Sequence, residues 1–445
     1  MKQVEITKSI VLFLLIALSL FLTFSIWTYT PDLKTIDQKP TVDISVSNRA
    51  TMDQVIKPYK SIFHFQDGLT GTTDSTEIEH IIKAMKTWTI SGVVLKDQSF
   101  DAVKLNLLMN KRNSFTLFYP SEVPLRVFED LLEIDDINVP ETSFDHITFD
   151  HIIVEWNSIN TTLDMHFVSS LNNLRYSAKV QVLDMQKFNQ TLLVRGKNLA
   201  EYAQVKTNDE NLLMVPVNKL EIIRNTYYQD NISPSKFRDA LFNDPNAVHR
   251  SQVGPNLEVF IDDHAQMSIN TDKKILDYVQ PTASTDEVAI PSELLLDVFD
   301  YINEHGGWSN EYRLVNMNPL SRTVKFQLHV HGLPVYSDST STMIEQVWGE
   351  DRVFRYKRPY YILDSNLPSE TEIVHLPSGV DVVKMLLESE EVDGSQVEEI
   401  IPGYFMKYDT NPNLFILEPS WFYKVKDNWI RFSPEQLGGE KLGLE

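Results

Sequence analysis

The 445-residue sequence contains no cysteine. Disulfide cross-links, thiolate nucleophiles, thiolate metal sites and a lipid-modified amino-terminal cysteine are therefore excluded. Because no covalent cross-link is available, stability must come from side-chain packing, and 42% hydrophobic and 11% aromatic residues can supply an ample core. A chain of this length is expected to form about three domains.

Glycine is scarce, with 15 residues, and the phosphate-binding motifs G-x-x-x-x-G-K and G-x-G-x-x-G do not occur. H-E-x-x-H and G-x-S-x-G, which mark zinc proteases and α/β-hydrolases, are absent too. Ser233 and Lys236 match the S-x-x-K motif of penicillin-interacting serine enzymes, but the partner motifs S-D-N and K-T-G are missing. We expect Ser233 and Pro234 to be the N-cap and first residue of a helix instead.

Positive charge is also scarce, because 40 Lys and Arg residues against 62 Asp and Glu residues leave a net charge of −22. Nucleic acid or anionic lipid as the main partner would require a basic face, so neither is expected. A basic run contains Arg352, Arg355, Lys357 and Arg358 among aromatic residues. We expect a strand with one packed and one solvated face there, with a surface for an anionic partner as the alternative.

Long apolar runs are rare as well: the one at the amino terminus has no counterpart of comparable length after residue 30. Ile10 to Trp27 carries no charge, and as a helix it would measure about 27 Å, close to the roughly 30 Å hydrocarbon core of a bilayer. A cleavable signal would have a shorter apolar region followed by a small-x-small site. Here Trp27 and Tyr29 follow, and their rings suit the membrane interface. We predict an uncleaved transmembrane helix at 9–30.

The orientation of this helix follows from its flanking charges. Lys2 and Lys8 precede it and favour a cytoplasmic amino terminus at 1–8. The prediction is thus a single-pass protein of the cell membrane whose large carboxyl-terminal part is extracytoplasmic.

Two hydroxyl-bearing residues of the span, Ser19 and Thr23, are four residues apart and share one helix face. Such residues permit close approach and hydrogen bonding between helices in a bilayer. We predict that this face contacts partner spans. The alternative is that the hydroxyls bond to their own helix and the span only anchors the protein.

The fold class predicted for the rest of the chain is α+β with mainly antiparallel sheets. After a linker at 31–40, short alternating runs predict strands, and segments 74–88 and 123–133 have helical spacing of apolar residues. A polar stretch ends an amino-terminal α/β domain at 41–210. A central domain at 211–289 and a carboxyl-terminal α+β domain at 290–445 each begin with a helix that strands follow, and Gly306 and Gly307 are expected to end the last of these helices.

Candidate chemistry is sparse, and no catalytic, cofactor-binding or metal-binding residue is predicted. His329 and His331 would lie on one face of a strand and could begin a zinc site, but no third ligand is evident. The pairs Asp145-His146 and Asp150-His151 would fall on opposite faces of a strand, so we expect surface residues and turn formers rather than an acid–base pair.

The order of several features resembles the YycH family of bacterial membrane-anchored regulators. These are the basic amino terminus, the span ending in I-W-T-Y-T-P-D, the acidic cysteine-free remainder, and the stretches G-L-P-V-Y-S-D-S-T and V-F-R-Y-K-R-P-Y-Y-I-L. The resemblance covers the whole chain, and the region from about Pro216 to Asn428 also resembles the sister protein YycI.

The resemblance implies a non-enzymatic regulator of the WalK (YycG) sensor histidine kinase, which governs cell-wall metabolism, acting with YycI in the membrane. It also implies three extracytoplasmic domains, the last two arranged as in YycI, and no catalytic residues. The alternative is a cell-wall-facing enzyme or receptor for a peptide or glycan fragment, with a pocket between domains. Packed joints without a pocket would favour the regulator.

Overall fold

A computed structural model describes residues 12–13, 15–20, 22–23, 49–129, 132–137, 144–157, 162–208, 211–285, 287–409, 413–426 and 428–433. The described residues between 12 and 23 are helical. Within the described ranges no helix is both long and apolar enough to cross a membrane. The predicted segments 1–8 and 31–40, and most of the predicted span 9–30, lie outside the described residues.

From Met52 onward, the chain forms short helices and many strands. The α-helices are α1 (Met52–Val55), α2 (Ser75–Met85), α3 (Ala102–Met109), α4 (Met185–Phe188), α5 (Val194–Lys197), α6 (Pro234–Leu241), α7 (Pro291–Glu304) and α8 (Gly379–Glu388). Single turns of other helix types lie at Leu125–Phe128, Asn189–Leu193, Pro281–Ala283, Pro368–Glu370 and Gly394–Gln396.

The strands up to residue 216 are β1 (Lys60–His64), β2 (Leu69–Thr72), β3 (Trp88–Asp97), β4 (Ser114–Pro124), β5 (Glu133–Ile137), β6 (Thr148–Glu155), β7 (Thr162–Ser169), β8 (Leu174–Val182), β9 (Ala200–Lys206) and β10 (Leu212–Pro216). The later strands are β11 (Leu220–Asn231), β12 (His249–Gly254), β13 (Leu257–Ile261), β14 (Gln266–Asn270), β15 (Ile275–Val279), β16 (Tyr312–Asn318), β17 (Thr323–Val330), β18 (Leu333–Tyr336), β19 (Met343–Trp348), β20 (Val353–Pro359), β21 (Tyr361–Asn366), β22 (Glu372–Leu376), β23 (Glu399–Asp409), β24 (Leu414–Val425) and β25 (Asn428–Arg431).

These strands form two large sheets. The first has ten strands in the order β10-β9-β2-β1-β4-β6-β7-β8-β3-β5. The second has 15 strands in the order β12-β13-β14-β15-β20-β19-β17-β18-β23-β24-β11-β21, with β16, β22 and β25 attached to β17, β11 and β24. Among the described strands, β3 with β5 and β18 with β23 pair in parallel, and the other pairs are antiparallel. The prediction of a mixed α and β fold with mainly antiparallel sheets is confirmed.

Local signals explain the predicted helices. Asp74 caps α2 by accepting hydrogen bonds from the backbone N–H groups of Thr76 and Glu77. Ser233 is the N-cap of α6 and Pro234 its first residue, as predicted, although no side-chain cap bond forms. Helix α7 ends before Gly306 and Gly307, whose φ angles of 122° and 60° suit glycine.

The helix predicted at 123–133 is wrong. Strand β4 extends to Pro124, and a short 3-10 turn at Leu125–Phe128 follows. Leu125, Val127 and Phe128 are all buried, so these apolar residues enter the core from a turn rather than from one stripe of a helix.

The two sheets meet along β4 and β16. The backbone N–H of Met317 in β16 donates to Ser121 Oγ in β4 at 2.9 Å, and α7 packs against both strands. One apolar cluster includes Phe149 of the first sheet and Leu328 of the second. The chain divides into two compact units, Met1–Val42 and Asp43–Glu445. The finer division at residues 210 and 289 stays a prediction.

Candidate functional site

A cavity of about 360 Å³ lies between the two sheets. Its walls include apolar and charged side chains of both sheets: Lys60, Leu105, Met109, Phe118, His151 and Met214 from the first sheet and α3, and Arg313, His329, Leu333, Tyr336, Glu399 and Trp429 from the second. The volume falls within the range of about 300–1,000 Å³ that is usual for small-molecule sites. The alternative hypothesis from the sequence, a receptor for a peptide or glycan fragment, requires a pocket of this kind.

A buried ion pair links the sheets at this cavity. The Lys60 ammonium, which is 3% exposed, donates to Glu399 Oε2 at 2.6 Å. Tyr59 Oη donates to the same oxygen at 2.6 Å, and the ammonium lies 4.6 Å from the ring centre of Phe118. Burial, followed by the charge of Glu399, raises the pKa of Tyr59 well above its ordinary value. The phenol therefore stays a hydrogen-bond donor, and Glu399 Oε2 accepts from both Tyr59 and Lys60.

A second cationic group consists of Arg313 and Lys57, beside His329. Arg313 Nε and Nη2 donate to Glu311 Oε1 at 2.9 and 2.6 Å, and Lys57 donates to Glu79 at 2.8 Å. Burial, and then the charge of Arg313, lower the pKa of His329 well below its ordinary value. The charge of Lys57 adds to this lowering. The imidazole is therefore neutral, with Nδ1 donating to the carbonyl of Gln327 at 2.9 Å.

Asp150 and His151 of β6 also line the cavity. His151 Nδ1 donates to Asp150 Oδ1 at 2.8 Å, and Ser170 Oγ donates to the same oxygen at 3.1 Å. Burial raises the pKa of the Asp150 carboxyl, but these hydrogen bonds and the charge of His151 together hold it below its usual value. Ser170 Oγ also lies 3.5 Å from His151 Nδ1, but that nitrogen donates its proton to Asp150 and therefore has no lone pair to accept the hydroxyl proton.

The sequence expectation for the two Asp-His pairs is corrected in part. Asp145 and His146 lie in a turn before β6, as turn formers do, and His146 is exposed. Asp150 and His151 are instead half-buried within β6. The strand begins only at Thr148, so the pairs do not share one strand and the argument from opposite faces does not hold.

Glu122 is a buried carboxylate that the sequence reasoning missed. It lies in an irregular part of β4, where pairing with β6 shifts register between Phe118 and Val123. Oε1 accepts from Ser169 Oγ at 2.8 Å, while Oε2 has no hydrogen-bond partner among the described residues. Burial, and next the charge of Asp150, raise the pKa of Glu122 to about 7. The signal available in the sequence was its position between Pro120 and Pro124, which marks a strand irregularity.

Another polar row crosses β6, β7 and β8. His166 Nε2 donates to Glu155 Oε1 at 2.9 Å, and Nδ1 lies 2.8 Å from Ser177 Oγ. A carboxylate, an imidazole and a hydroxyl in sequence resemble the relay of serine hydrolases. These three residues do not belong to the cavity walls, and Glu155 is also paired with Lys111 at 2.9 Å. The row is explained as cross-strand pairing on one sheet face.

The predicted histidine pair is wrong in its geometry. His329 is buried in β17, whereas His331 follows the end of the strand, is exposed and has a φ of 50°. Since β17 and β18 are joined by the two residues His331 and Gly332, both with positive φ, the segment is a tight hairpin turn. No group of three metal-binding side chains occurs in the part of the chain that the structure describes.

The Ser233 and Lys236 motif is exposed, and Ser233 Oγ lies 3.1 Å from Ser235 Oγ. In the basic run, Arg358 is fully buried and donates to the carbonyl of Gly307 at 2.8 Å. Arg355 pairs with Asp277 at 2.6 Å, so this strand has the predicted packed and solvated sides.

Ser19 and Thr23, the predicted partner-binding residues, both lie in the described helical residues. Thr23 Oγ1 donates to the carbonyl of Ser19 at 2.8 Å. Their role in contacting partner spans stays a prediction.

Comparison with known proteins agrees with this fold. The family model described as YycH protein, C-terminal domain, matches residues 210–436, and the model for the YycH N-terminal domain matches residues 5–192. The chain belongs to the YycH family. The resemblance to the YycH family found in the sequence is thereby confirmed.

A curated sequence and a solved structure of YycH from Bacillus subtilis are both similar to this chain. The two-component system WalR/WalK regulatory protein YycH of strain 168 is 21% identical over 459 residues, which cover 99% of each chain. The crystal structure of YycH from Bacillus subtilis matches with a TM-score of 0.72 at 20% identity, covering 87% of this chain and 99% of that chain. At this identity the structural match establishes a shared fold.

Proposed function

We propose that this chain is a non-enzymatic regulator of a WalR/WalK-type two-component system and acts on the WalK (YycG) sensor histidine kinase that governs cell-wall metabolism. The observation that carries the proposal is similarity from end to end to a curated WalR/WalK regulatory protein, over 99% of both chains. Similarity of this extent argues against a shared module placed in an unrelated protein.

The polar groups at the joint support a role without catalysis. Glu399 accepts from Lys60 and Tyr59, and Asp150 accepts from His151 and Ser170. These bonds satisfy buried polar groups and tie segments together. Ser170 donates to the Asp150 carboxylate, but that oxygen also accepts from His151 and the pKa of Asp150 is held below its usual value, which makes it a weak base toward a hydroxyl.

The membrane topology belongs to the same proposal. Residues 9–30 anchor the protein, residues 1–8 are cytoplasmic, and the domains at 41–210, 211–289 and 290–445 lie outside the cytoplasm, the last two arranged as in YycI. The uncharged run from Ile10 to Trp27 and the preceding lysines support this. A reporter fused after Glu445 should be active only outside the cytoplasm, and cytoplasmic activity would contradict the orientation.

The partners proposed are WalK and a YycI-like membrane protein, bound through the transmembrane face of Ser19 and Thr23 and through the extracytoplasmic domains. The direct test is purification of the tagged full-length chain from solubilised membranes. We expect the kinase and the YycI-like protein to be retained, and an unrelated single-pass protein with the same tag to retain neither. Absence of the kinase at equal membrane abundance would contradict the proposal.

A further inference from the structure

The guanidinium of Arg313 at the cavity is buried but only partly satisfied. The side chain is 4% exposed. It donates from Nε and Nη2 to Glu311 Oε1, and from Nη1 to the carbonyl of Gly332 at a long 3.5 Å. A guanidinium has five N–H groups, so further donors remain for another acceptor.

The carboxylates that pair with Arg313 and Lys57 are themselves exposed. Glu311, the partner of Arg313, is 43% exposed, and Glu79, the partner of Lys57, is 44% exposed. An exposed carboxylate loses little free energy when it turns toward water, whereas a buried cation must remain paired. A ligand anion can therefore replace Glu311 at the guanidinium without leaving a buried charge uncompensated.

The field at this end of the cavity is positive. Besides burial, the charges of Arg313 and Lys57 help to lower the pKa of His329 well below its ordinary value. Burial is the main reason that the imidazole is neutral, and the two cations on the same side of the cavity are the groups that an anion would meet there. This stands out in a chain with a net charge of −22.

The other charged side chains of the cavity are already paired with one another: Glu399 with Lys60, Asp150 with His151 and Glu398 with Lys424. Much of the remaining wall is apolar. Leu105 and Met109 of α3 come from one side with Phe118 and Met214, all four of them nearly fully buried. From the other side come Tyr336 and Trp429, whose ring centres are 6.2 Å apart. A cavity with the cations Arg313 and Lys57 at one end, apolar wall elsewhere and its other charges paired matches a ligand with an anionic head and an apolar body.

We propose that this cavity binds a small amphipathic oxyanion, with its carboxylate or phosphate on Arg313 and Lys57 and its apolar body between α3 and the rings of Tyr336 and Trp429. The ligand contacts both sheets and so stabilises their joint. The proposal concerns the cavity alone and does not depend on which kinase the protein regulates.

The first test compares four related compounds on the full-length chain in lipid nanodiscs, with binding to empty nanodiscs subtracted. They are 4-phenylbutyrate, its uncharged amide, the cationic 4-phenylbutylamine and 3-phenylpropyl phosphate. Titration calorimetry should give at least about tenfold tighter binding of the two anions than of the amide or the amine, since the charged hydrogen bonds are lost. Tighter binding of the phosphate than of the carboxylate would assign the head group as a phosphate ester. Equal binding of the amide, or no binding of either anion at millimolar concentration, would overturn the proposal.

The second test uses two substitutions of opposite expected sign. Arg313→Gln should weaken binding of 4-phenylbutyrate about tenfold or more. Because that change affects a buried residue, the decisive variant is Glu311→Gln, an exposed position whose carboxylate competes with the ligand. It should tighten binding of 4-phenylbutyrate severalfold and leave amide binding unchanged. Glu350→Gln, exposed and outside the cavity, is the control. Weaker or unchanged binding in Glu311→Gln would contradict the assignment of Arg313.

Discussion

At the scale of single residues, one buried ion pair links the two sheets. Lys60 of β1 and Glu399 of β23 form a pair that water hardly reaches, with side chains 3% and 15% exposed. Removing one member of such a pair leaves the other charge buried without compensation, which costs more than the pair itself contributes. The joint is therefore sensitive to single substitutions at these positions.

Glu399→Gln should lower the free energy of unfolding by about 3 kcal/mol, because the Lys60 ammonium stays buried without a counter-charge. The neighbouring Glu398→Gln is the matched control, since Glu398 is 47% exposed and pairs with Lys424 at 3.4 Å. That change should cost less than about 1 kcal/mol. Urea unfolding of the full-length chain in mild detergent measures both, and equal effects would show that burial of the pair is unimportant.

Glu122 predicts a dependence of stability on pH. Its folded pKa of about 7 lies above the ordinary value for glutamate of about 4.3, so the neutral form is favoured in the fold. The contribution to stability is fully present below about pH 4.3 and is lost as pH rises through about 7.

Glu122→Gln should remove this loss. Relative to the unsubstituted chain, the variant should gain about 2 kcal/mol of stability between about pH 5 and about pH 8. Denaturant unfolding at both pH values gives the difference. If the two proteins lose the same free energy over this interval, Glu122 is not neutral in the folded state.

At the scale of elements, short-range signals were sufficient for the helices that have caps. The N-cap Ser233 with Pro234, and Gly306 with Gly307 after α7, act on adjacent backbone and could be read from the sequence. The segment at 123–133 could not, because the same apolar spacing suits a turn whose residues are buried by packing against α7. The structure of this segment is therefore determined by contacts with residues that are distant in the sequence.

The turn between β17 and β18 makes an element-scale prediction. Gly332 has a φ of 80°, and a Cβ built on it would lie 2.6 Å from Ser75 Cβ at the start of α2. Gly332→Ala should therefore lower stability by about 2 kcal/mol, from backbone strain and from the contact with the other sheet's helix. Gly254→Ala, where an added Cβ meets nothing within 4 Å, should have little effect. Thermal unfolding compares them, and similar melting temperatures would contradict this account of the turn.

At the scale of the whole molecule, sequence patterns predicted little about the cavity and the residues that line it. Strand β11 pairs with β21, β22 and β24, all more than 120 residues later in the chain, and period-two patterns do not encode such partners. Arg313 and Lys60 were missed for the same reason: a charge in a strand is expected to face water, but here a second sheet covers it. Family membership, by contrast, was predictable, because it depends on the order of features along the chain.

The proposed membrane contacts are also testable at this scale. The hydrogen bond from Thr23 Oγ1 to the carbonyl of Ser19 is expected of a span that only anchors the protein. Substitution of both residues distinguishes such an anchor from a span that contacts partner helices. Replacing Ser19 and Thr23 together with Leu keeps the span apolar and should reduce co-purification of the YycI-like protein or the kinase severalfold. Each interhelical hydrogen bond contributes only about 0.6 kcal/mol, so the single substitutions should do little. Unchanged co-purification at equal membrane abundance would leave recognition to the domains that we propose to be extracytoplasmic.

The central claim, regulation of a WalK-type kinase, is tested most directly by the phosphorylated fraction of the WalR response regulator in cells. It should be measured in cells that lack this chain and in the same cells with the full-length chain restored, at equal kinase abundance. We predict that the fraction changes on loss of the chain and returns on restoration. An identical phosphorylated fraction in both would contradict the account.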